Sequence, residues 1–296
     1  MAGVDETLAH RTRRLLAELD LRPKRSRGQS FLVDPSIAER IAALVCGDDR
    51  PKVLEIGAGL GGLTGPLARR CRELVAVEIE DSFAVALRGM FGEQAHVRIM
   101  SADALTGDLG VLCDGRASEW RVAGNLPYYA ASAILLRLLA RWPGFERIVV
   151  MVQREVGERL LAFRGDSAYG SLSVFARYHI GEARVVARVP RGAFWPQPQV
   201  DSAVLLLHPR HERLAAEALE PLLFAVIRAG FSQRRKKLSN ALTAGAIGGL
   251  DRAALPGLLA RTGLGERVRA EELAVEDFIR LARVLAESGA TTSACG

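Results

Sequence analysis

Apolar positions follow two rhythms along the chain. Short β-rich runs at Val53–Ile56, Leu74–Glu78, Val97–Ser101, Arg121–Gly124 and Ile148–Val152 alternate with stretches of helical spacing. Strands separated by helix-length crossovers predict a doubly wound, mostly parallel α/β sheet of Rossmann-like type. Two further runs, Ala183–Val189 and Ala203–His208, are joined by a segment holding Pro190, Pro196 and Pro198. That segment is too proline-rich for a crossover helix, so an antiparallel pair at the sheet edge is expected. Ahead of the first strand, Leu8, Leu15, Leu16 and Leu19 share a helical face, and Arg22 to Arg27 form a basic arm ending at Gly28. After Pro209 the pattern is helical only, through Leu285, with breaks near Gly245–Gly249 and Gly263–Gly265. The expected organisation is a helix and basic arm over 1–30, the sheet domain over 31–210, a small all-α domain over 211–286, and a disordered tail over 287–296.

Composition narrows the class. Of 296 residues, 49% are hydrophobic and 25% charged, which suits a globular protein. No apolar run reaches the roughly 18–20 residues needed to cross a bilayer. Met1 to Leu21 is charged throughout and lacks the apolar centre of a signal peptide, so a cytoplasmic protein with no membrane partner is expected. Cys46, Cys71, Cys113 and Cys295 stand alone, and His10, His96, His179, His208 and His211 show no ligand spacing. Neither a metal site nor a disulfide framework is expected. The net charge of +6 is carried almost wholly by arginine, because Lys24, Lys52, Lys236 and Lys237 are the only lysines. A polyanionic partner fits that balance.

The strand Val53–Ile56 runs directly into Gly57-Ala-Gly59-Leu-Gly61-Gly62, then into a helical pattern. Such glycines let the backbone turn tightly and approach a ligand at a helix N-terminus. The second strand ends at Glu78, placed to accept from ribose hydroxyls, and Asp103 follows the third, placed to accept from an adenine amino group. Acids after strands also serve as helix caps. The loop therefore indicates a nucleotide-type ligand, and leaves dinucleotide and S-adenosylmethionine both open.

Asn125-Leu126-Pro127-Tyr128, directly after the fourth strand, separates them. An adenine amine is a poor nucleophile because its lone pair is delocalised into the ring. If the Asn125 oxygen and a carbonyl at Leu126 or Pro127 each accept an N–H, the lone pair is localised and aimed at a methyl sulfonium. Pro127 stiffens the loop and Tyr128 offers a ring to stack on an extruded adenine. Hydride transfer has no use for this arrangement, so the sheet reads as a methyltransferase sheet.

Together these residues resemble the ribosomal RNA adenine dimethyltransferase family over nearly the whole chain. The resemblance opens with Gly28-Gln-Ser-Phe-Leu32 and continues through Glu55-Ile-Gly-Ala-Gly59, Asn125–Tyr128, Met151-Val-Gln-Arg-Glu-Val156 and Tyr169-Gly-Ser-Leu-Ser-Val174. It then covers Phe194 to Ser202, Phe231-Ser-Gln-Arg-Arg-Lys-Lys-Leu238 and Arg269-Ala-Glu-Glu-Leu273. It implies that Ser30, Leu32, Gly57, Glu78, Asp103 and Asn125 contact S-adenosylmethionine, with Gly59 in the same loop. It also implies a substrate: two adjacent adenines in the 3′-terminal hairpin loop of small-subunit rRNA, each methylated twice as the subunit assembles. Two positions depart from the family pattern, Ser30 where Asn is usual and Tyr129 where a smaller polar residue is common.

If Phe231–Leu242 is one helix, Phe231, Leu238 and Leu242 share a face flanked by Arg234 and Arg235. Arg234, Arg235 and Lys236, with Lys24 and Arg25 of the arm, are then the expected rRNA contacts. Gln153, Arg154 and Glu155 could shape the RNA entrance or start a helix, and Phe194 and Trp195 could frame the target base or pack. A monomer acting on small-subunit rRNA or the assembling 30S particle is expected. The rival readings are a large-subunit (23S) rRNA adenine methyltransferase conferring antibiotic resistance and a non-catalytic RNA-binding assembly factor.

Overall fold

The computed structural model describes residues 7–23, 29–141, 144–245 and 247–292. Its strands are β1 (Phe31–Leu32), β2 (Lys52–Ile56), β3 (Glu73–Glu78), β4 (Val97–Ser101), β5 (Trp120–Asn125), β6 (Arg147–Gln153), β7 (Ile180–Val189), β8 (Phe194–Trp195), β9 (Ser202–Pro209), β10 (Ile247–Gly248) and β11 (Thr291–Thr292). Its helices are α1 (Leu8–Glu18), α2 (Pro35–Cys46), α3 (Thr64–Arg70), α4 (Asp81–Phe91), α5 (Leu109–Leu112), α6 (Ala131–Leu139), α7 (Arg154–Leu161), α8 (Ser171–His179), α9 (Glu220–Ser232), α10 (Leu238–Ala244), α11 (Leu255–Arg261) and α12 (Val275–Glu287). None of the described helices is long and apolar enough to cross a membrane.

Seven strands form one sheet in the order β4-β3-β2-β5-β6-β9-β7. The pairs from β4 to β6 are parallel, whereas β9 runs antiparallel to both β6 and β7. The expected antiparallel pair at the edge is therefore present, with β7 outermost. Helices cover both faces, so a central strand such as β2 is buried from Val53 to Ile56, which is why its sequence shows no alternation. Between strands the local chemistry fixes the helix starts. Asp34 caps α2 by accepting from the Ser36 and Ile37 amides at 2.9 and 3.3 Å, with Pro35 in the first turn.

The chain divides into two compact units, Met1–Gly157 with Ile180–His211, and Glu158–His179 with Glu212–Gly296. A single cut near residue 210 does not describe this division, because the excursion 158–179 groups with the helices. The cause lies in the second unit's core. Tyr169 is 1% exposed, stacks edge-on with Phe231 at 5.9 Å and donates its hydroxyl to the Leu273 carbonyl at 2.7 Å. Phe231 in turn lies 5.9 Å from Phe278. The three motifs around Tyr169, Phe231 and Leu273 thus converge on one packing site.

Three expectations need correction. Phe231–Leu242 is not one helix: α9 ends at Ser232, Gln233 leaves helical geometry at φ −133°, ψ 69°, and α10 begins only at Leu238. Four successive cations between them gain nothing from helical stacking, and the Arg234 guanidinium instead reaches the Ser167 and Tyr169 carbonyls at 3.1 and 2.9 Å. The segment after Pro209 is not purely helical, since β10 and β11 pair in antiparallel register. Nor is the tail disordered from residue 287: α12 runs to Glu287 and Ala290 is 5% exposed. Within that stretch, residues 293–296 lie outside the described set, as do Lys24 and Arg25 of the basic arm.

Candidate active site

The sheet order reverses between β2 and β5, which neighbour each other although β3 and β4 intervene in sequence. At the carboxyl ends of these two strands open α/β sheets bind their ligands. A cleft of about 620 Å³ opens there, lined by Ser30, Phe31, Gly57, Gly59, Glu78, Phe83 and Asn125 to Tyr129 among others.

The glycine loop leaves β2 and closes over the cleft floor. Gly59 sits at φ +56°, a region that side chains rarely enter, and its amide donates to Glu78 Oε2 at 2.8 Å. Glu78 Oε1 accepts the Glu80 amide at 3.0 Å, so one carboxylate ties the end of β3 to the loop after β2. Burial raises the Glu78 carboxyl above its ordinary range, and the backbone amides oppose that rise. At Gly62 a Cβ would lie 2.8 Å from the Leu32 carbonyl oxygen, so only glycine lets the loop approach β1 this closely.

Asn125 ends β5 and is held from one side only. Its Nδ2 donates to the Ser30 carbonyl at 3.1 Å, which turns Oδ1 the other way as an acceptor, with no donor bonded to it among the described residues. The contact uses the main chain of Ser30, so the departure from Asn at that position leaves it intact. The two neighbouring carbonyls then separate. Pro127 accepts the Ala130 amide at 3.0 Å, closing the turn into α6. The Leu126 amide is fixed to the Met151 carbonyl at 3.0 Å, while the Leu126 carbonyl accepts nothing among the described residues. Leu126 is 1% exposed and is one of the residues lining the cleft. Tyr128 is half-buried and its hydroxyl meets Ser202 Oγ at 2.8 Å, which pins the ring from the start of β9. Burial raises that phenol.

Two expected contacts lie apart from this wall. Leu32 is 4% exposed and borders a smaller adjoining cavity with Thr12, Glu55, Gly62 and Asn125. Asp103 follows β4, and its Oδ1 accepts the Leu105 amide at 2.8 Å in a turn; it caps no helix, since α5 is capped by Asp108. Phe194 and Trp195 pack rather than frame a base. They pair with Leu32 and Phe31 through β1 and β8, Phe194 is 3% exposed, and Trp195 joins a cluster with Leu15, Leu19 and Phe31. Arg154 and Glu155 open α7, the helix-start reading.

Sequence reasoning assigned no role to Glu55, Thr12 or Ser202. Glu55 is the clearest omission, because an acid inside the apolar run Val53–Ile56 is itself a signal. It is 1% exposed, and burial pushes its carboxyl up to about 8, opposed by the Thr64 hydroxyl and aided by the charge of Glu78. Thr12 comes from α1, whose arrival over the loop no local pattern announces. Among the described residues no cluster of His, Cys, Asp and Glu could hold a metal.

The family described as Ribosomal RNA adenine dimethylase matches residues 21–287. The Ribosomal RNA small subunit methyltransferase A of Moorella thermoacetica is 40% identical over 282 residues, covering 93% of this chain and 96% of that protein. Its counterpart of the same name in Geobacter sulfurreducens is 40% identical over 271 residues, covering 91% and 97%. Among solved structures, a dimethyladenosine transferase from Plasmodium falciparum superposes with a TM-score of 0.71 at 22% identity, covering 86% of this chain and 97% of that one. The 23S rRNA methyltransferase ErmE gives 0.62 at 26% identity, covering 86% and 99%.

Proposed function

The chain belongs to the ribosomal RNA adenine dimethylase family, and from that premise we propose that it transfers methyl groups from S-adenosylmethionine to two adjacent adenines in the 3′-terminal hairpin loop of 16S small-subunit rRNA, each at the exocyclic amine. The protein is an rRNA adenine dimethyltransferase acting in the cytoplasm, as a monomer, on rRNA or the assembling 30S subunit. One observation carries this reading: Asn125 and Leu126 line a glycine-floored cleft, and Asn125 Oδ1 and the Leu126 carbonyl have no donor bonded to them among the described residues.

The residues present suit the cofactor. Glycines 57 and 59 leave room along the floor, Glu78 would accept from the ribose hydroxyls, and Asp103 would accept from the adenine amino group. Ser30 lines the cleft just ahead of β1, and Leu32 borders the smaller adjoining cavity. When bound, S-adenosylmethionine would supply an electrophilic methyl on a sulfonium, with a neutral thioether as the leaving group. The chain does the rest by positioning. Two acceptors, Asn125 Oδ1 and Leu126 O, take the two N–H groups of the target amine and pull its lone pair out of conjugation. Tyr128, fixed through Ser202, stacks on the extruded base, and Pro127 keeps the turn between them stiff. No strong base is needed, because the proton lost after transfer comes from a cationic nitrogen and passes readily to water. The exposed Arg235 and Lys236 hold rRNA phosphates, with Lys24 and Arg25 of the arm. Arg234 contributes through the loop it clamps.

The likeness to ErmE favours the second reading, a 23S rRNA methyltransferase. The small-subunit names of the 40%-identical relatives favour the first. Incubation with labelled S-adenosylmethionine and either unmodified small subunits or 23S rRNA, followed by nucleoside mass spectrometry, separates them. Dimethyladenosine in 16S rRNA is expected; label confined to 23S rRNA, or none, overturns the proposal.

A further inference from the structure

Among the described residues Phe163 is one of few large apolar side chains left in the open, with 65% of its surface exposed. It stands in the turn after α7, and nothing in methyl transfer requires it. The turn around it is stiff. The Phe163 amide donates to Asp166 Oδ2 at 2.7 Å, the Asp166 amide returns to the Phe163 carbonyl at 3.0 Å, and Gly165 closes the loop at φ +99°. One face of the ring is already covered. The Arg177 guanidinium carbon lies 3.6 Å from the ring centroid. That guanidinium is itself fixed, donating to the Ala162 carbonyl from Nε and Nη2 at 3.2 and 3.1 Å and to the Leu161 carbonyl at 3.1 Å.

A phenyl ring with a tethered cation over it and 65% of its surface open to solvent is a stacking platform prepared in advance. Two arginines stand beside it, Arg177 against the ring and Arg164 next in the chain. Arg164, the next residue, is 58% exposed and only 3.9 Å from Asp277, whose carboxylate also pairs with Arg280. The one nearby acid of the turn, Asp166, is occupied with the Phe163 amide. We propose that Phe163 is a stacking site for an unpaired base of the RNA substrate, backed by Arg177 and flanked by Arg164. The inference rests on the reading of the chain as an rRNA methyltransferase and adds a contact in the second unit. Aromatic stacking accepts any base, so the site fits a single-stranded segment without selecting its sequence.

The test uses the full chain and unmodified small subunits, with affinity measured across a salt series for wild type, Phe163→Ala, Phe163→Leu and Phe163→Trp. Phe163→Ala is expected to weaken binding about tenfold, the order of one stacked base. Phe163→Leu, apolar without a π-face, is expected to match it, and Phe163→Trp to keep wild-type affinity. The slope of affinity against salt stays constant in all four, because no phosphate contact is removed. S-adenosylhomocysteine affinity and thermal stability serve as the folding control and stay unchanged. Wild-type affinity in Phe163→Leu overturns the stacking site and points to an apolar contact with a protein instead. Wild-type affinity in Phe163→Ala overturns it outright. Failure of the wild-type chain to bind small subunits at all overturns the parent reading, which the other two results leave standing.

Discussion

Replacing Tyr128 with Phe removes one hydroxyl and leaves the stacking ring in place, so it tests the tether separately from the ring. The phenol meets Ser202 Oγ at 2.8 Å, and Ser202 is 0% exposed. In Tyr128→Phe the serine hydroxyl has no water to replace its partner, and an unsatisfied buried hydroxyl costs about 1–3 kcal/mol of stability. Ser202→Ala removes the opposite partner, but the half-buried phenol keeps access to solvent, so about 0.5–1.5 kcal/mol is expected. The double variant should be less destabilised than the sum of the two, with a coupling of about 1 kcal/mol. Catalysis adds a second reading. A ring free to shift by a fraction of an ångström misplaces the base against the methyl, and turnover should fall roughly tenfold with S-adenosylhomocysteine affinity unchanged. Urea denaturation of the four proteins and steady-state methylation of unmodified small subunits measure both effects. Strictly additive stabilities, together with wild-type turnover in Tyr128→Phe, refute the tether.

Three further outcomes follow from the same geometry. Because burial holds the Glu55 carboxyl up to about 8 against 4.5 when free, the folded chain keeps a proton that the unfolded chain releases. The stability this provides is complete below about pH 4.5 and is lost as pH rises toward 8, so Glu55→Gln should gain more unfolding free energy at pH 8.5 than at pH 5, by at most about 4–5 kcal/mol in urea denaturation; equal gains at both pH values contradict it. Gly62→Ala places a Cβ 2.8 Å from the Leu32 carbonyl oxygen, and should cost about 1–3 kcal/mol and weaken S-adenosylhomocysteine at least tenfold by calorimetry. Arg234→Ala should lower stability by about 1 kcal/mol because Ser167 and Tyr169 lose their donor, whereas Arg235→Ala should lower rRNA affinity and its salt slope with stability unchanged.

The sheet was legible because its crossover pattern is local: each strand reads as an apolar run and each connection as a helix or a proline-rich loop. The antiparallel edge followed from three prolines between two β-rich runs. Contacts between distant segments were not legible. Nothing near Phe31 announces its pairing with Trp195, and nothing near Tyr169 announces that Phe231 and Leu273 close over it. Those tertiary contacts drew 158–179 into the helical unit and broke the helix expected over Phe231–Leu242. In the cleft, residue types pointed to Asn125 and to a carbonyl at Leu126 or Pro127, but the choice between the carbonyls needed the Ala130 amide. Glu55 stood in plain view as an acid within an apolar strand, and its burial is what its neighbours alone could not show.

In the proposed reaction Asn125 is the acceptor that orients the target amine. The most direct measurement is the single-turnover rate of methyl transfer by Asn125→Ala to unmodified small subunits at saturating S-adenosylmethionine. Loss of one such preorganised partner should slow transfer by about 100-fold or more, with S-adenosylhomocysteine still bound and the fold intact. A variant that transfers methyl groups at the wild-type rate contradicts the account.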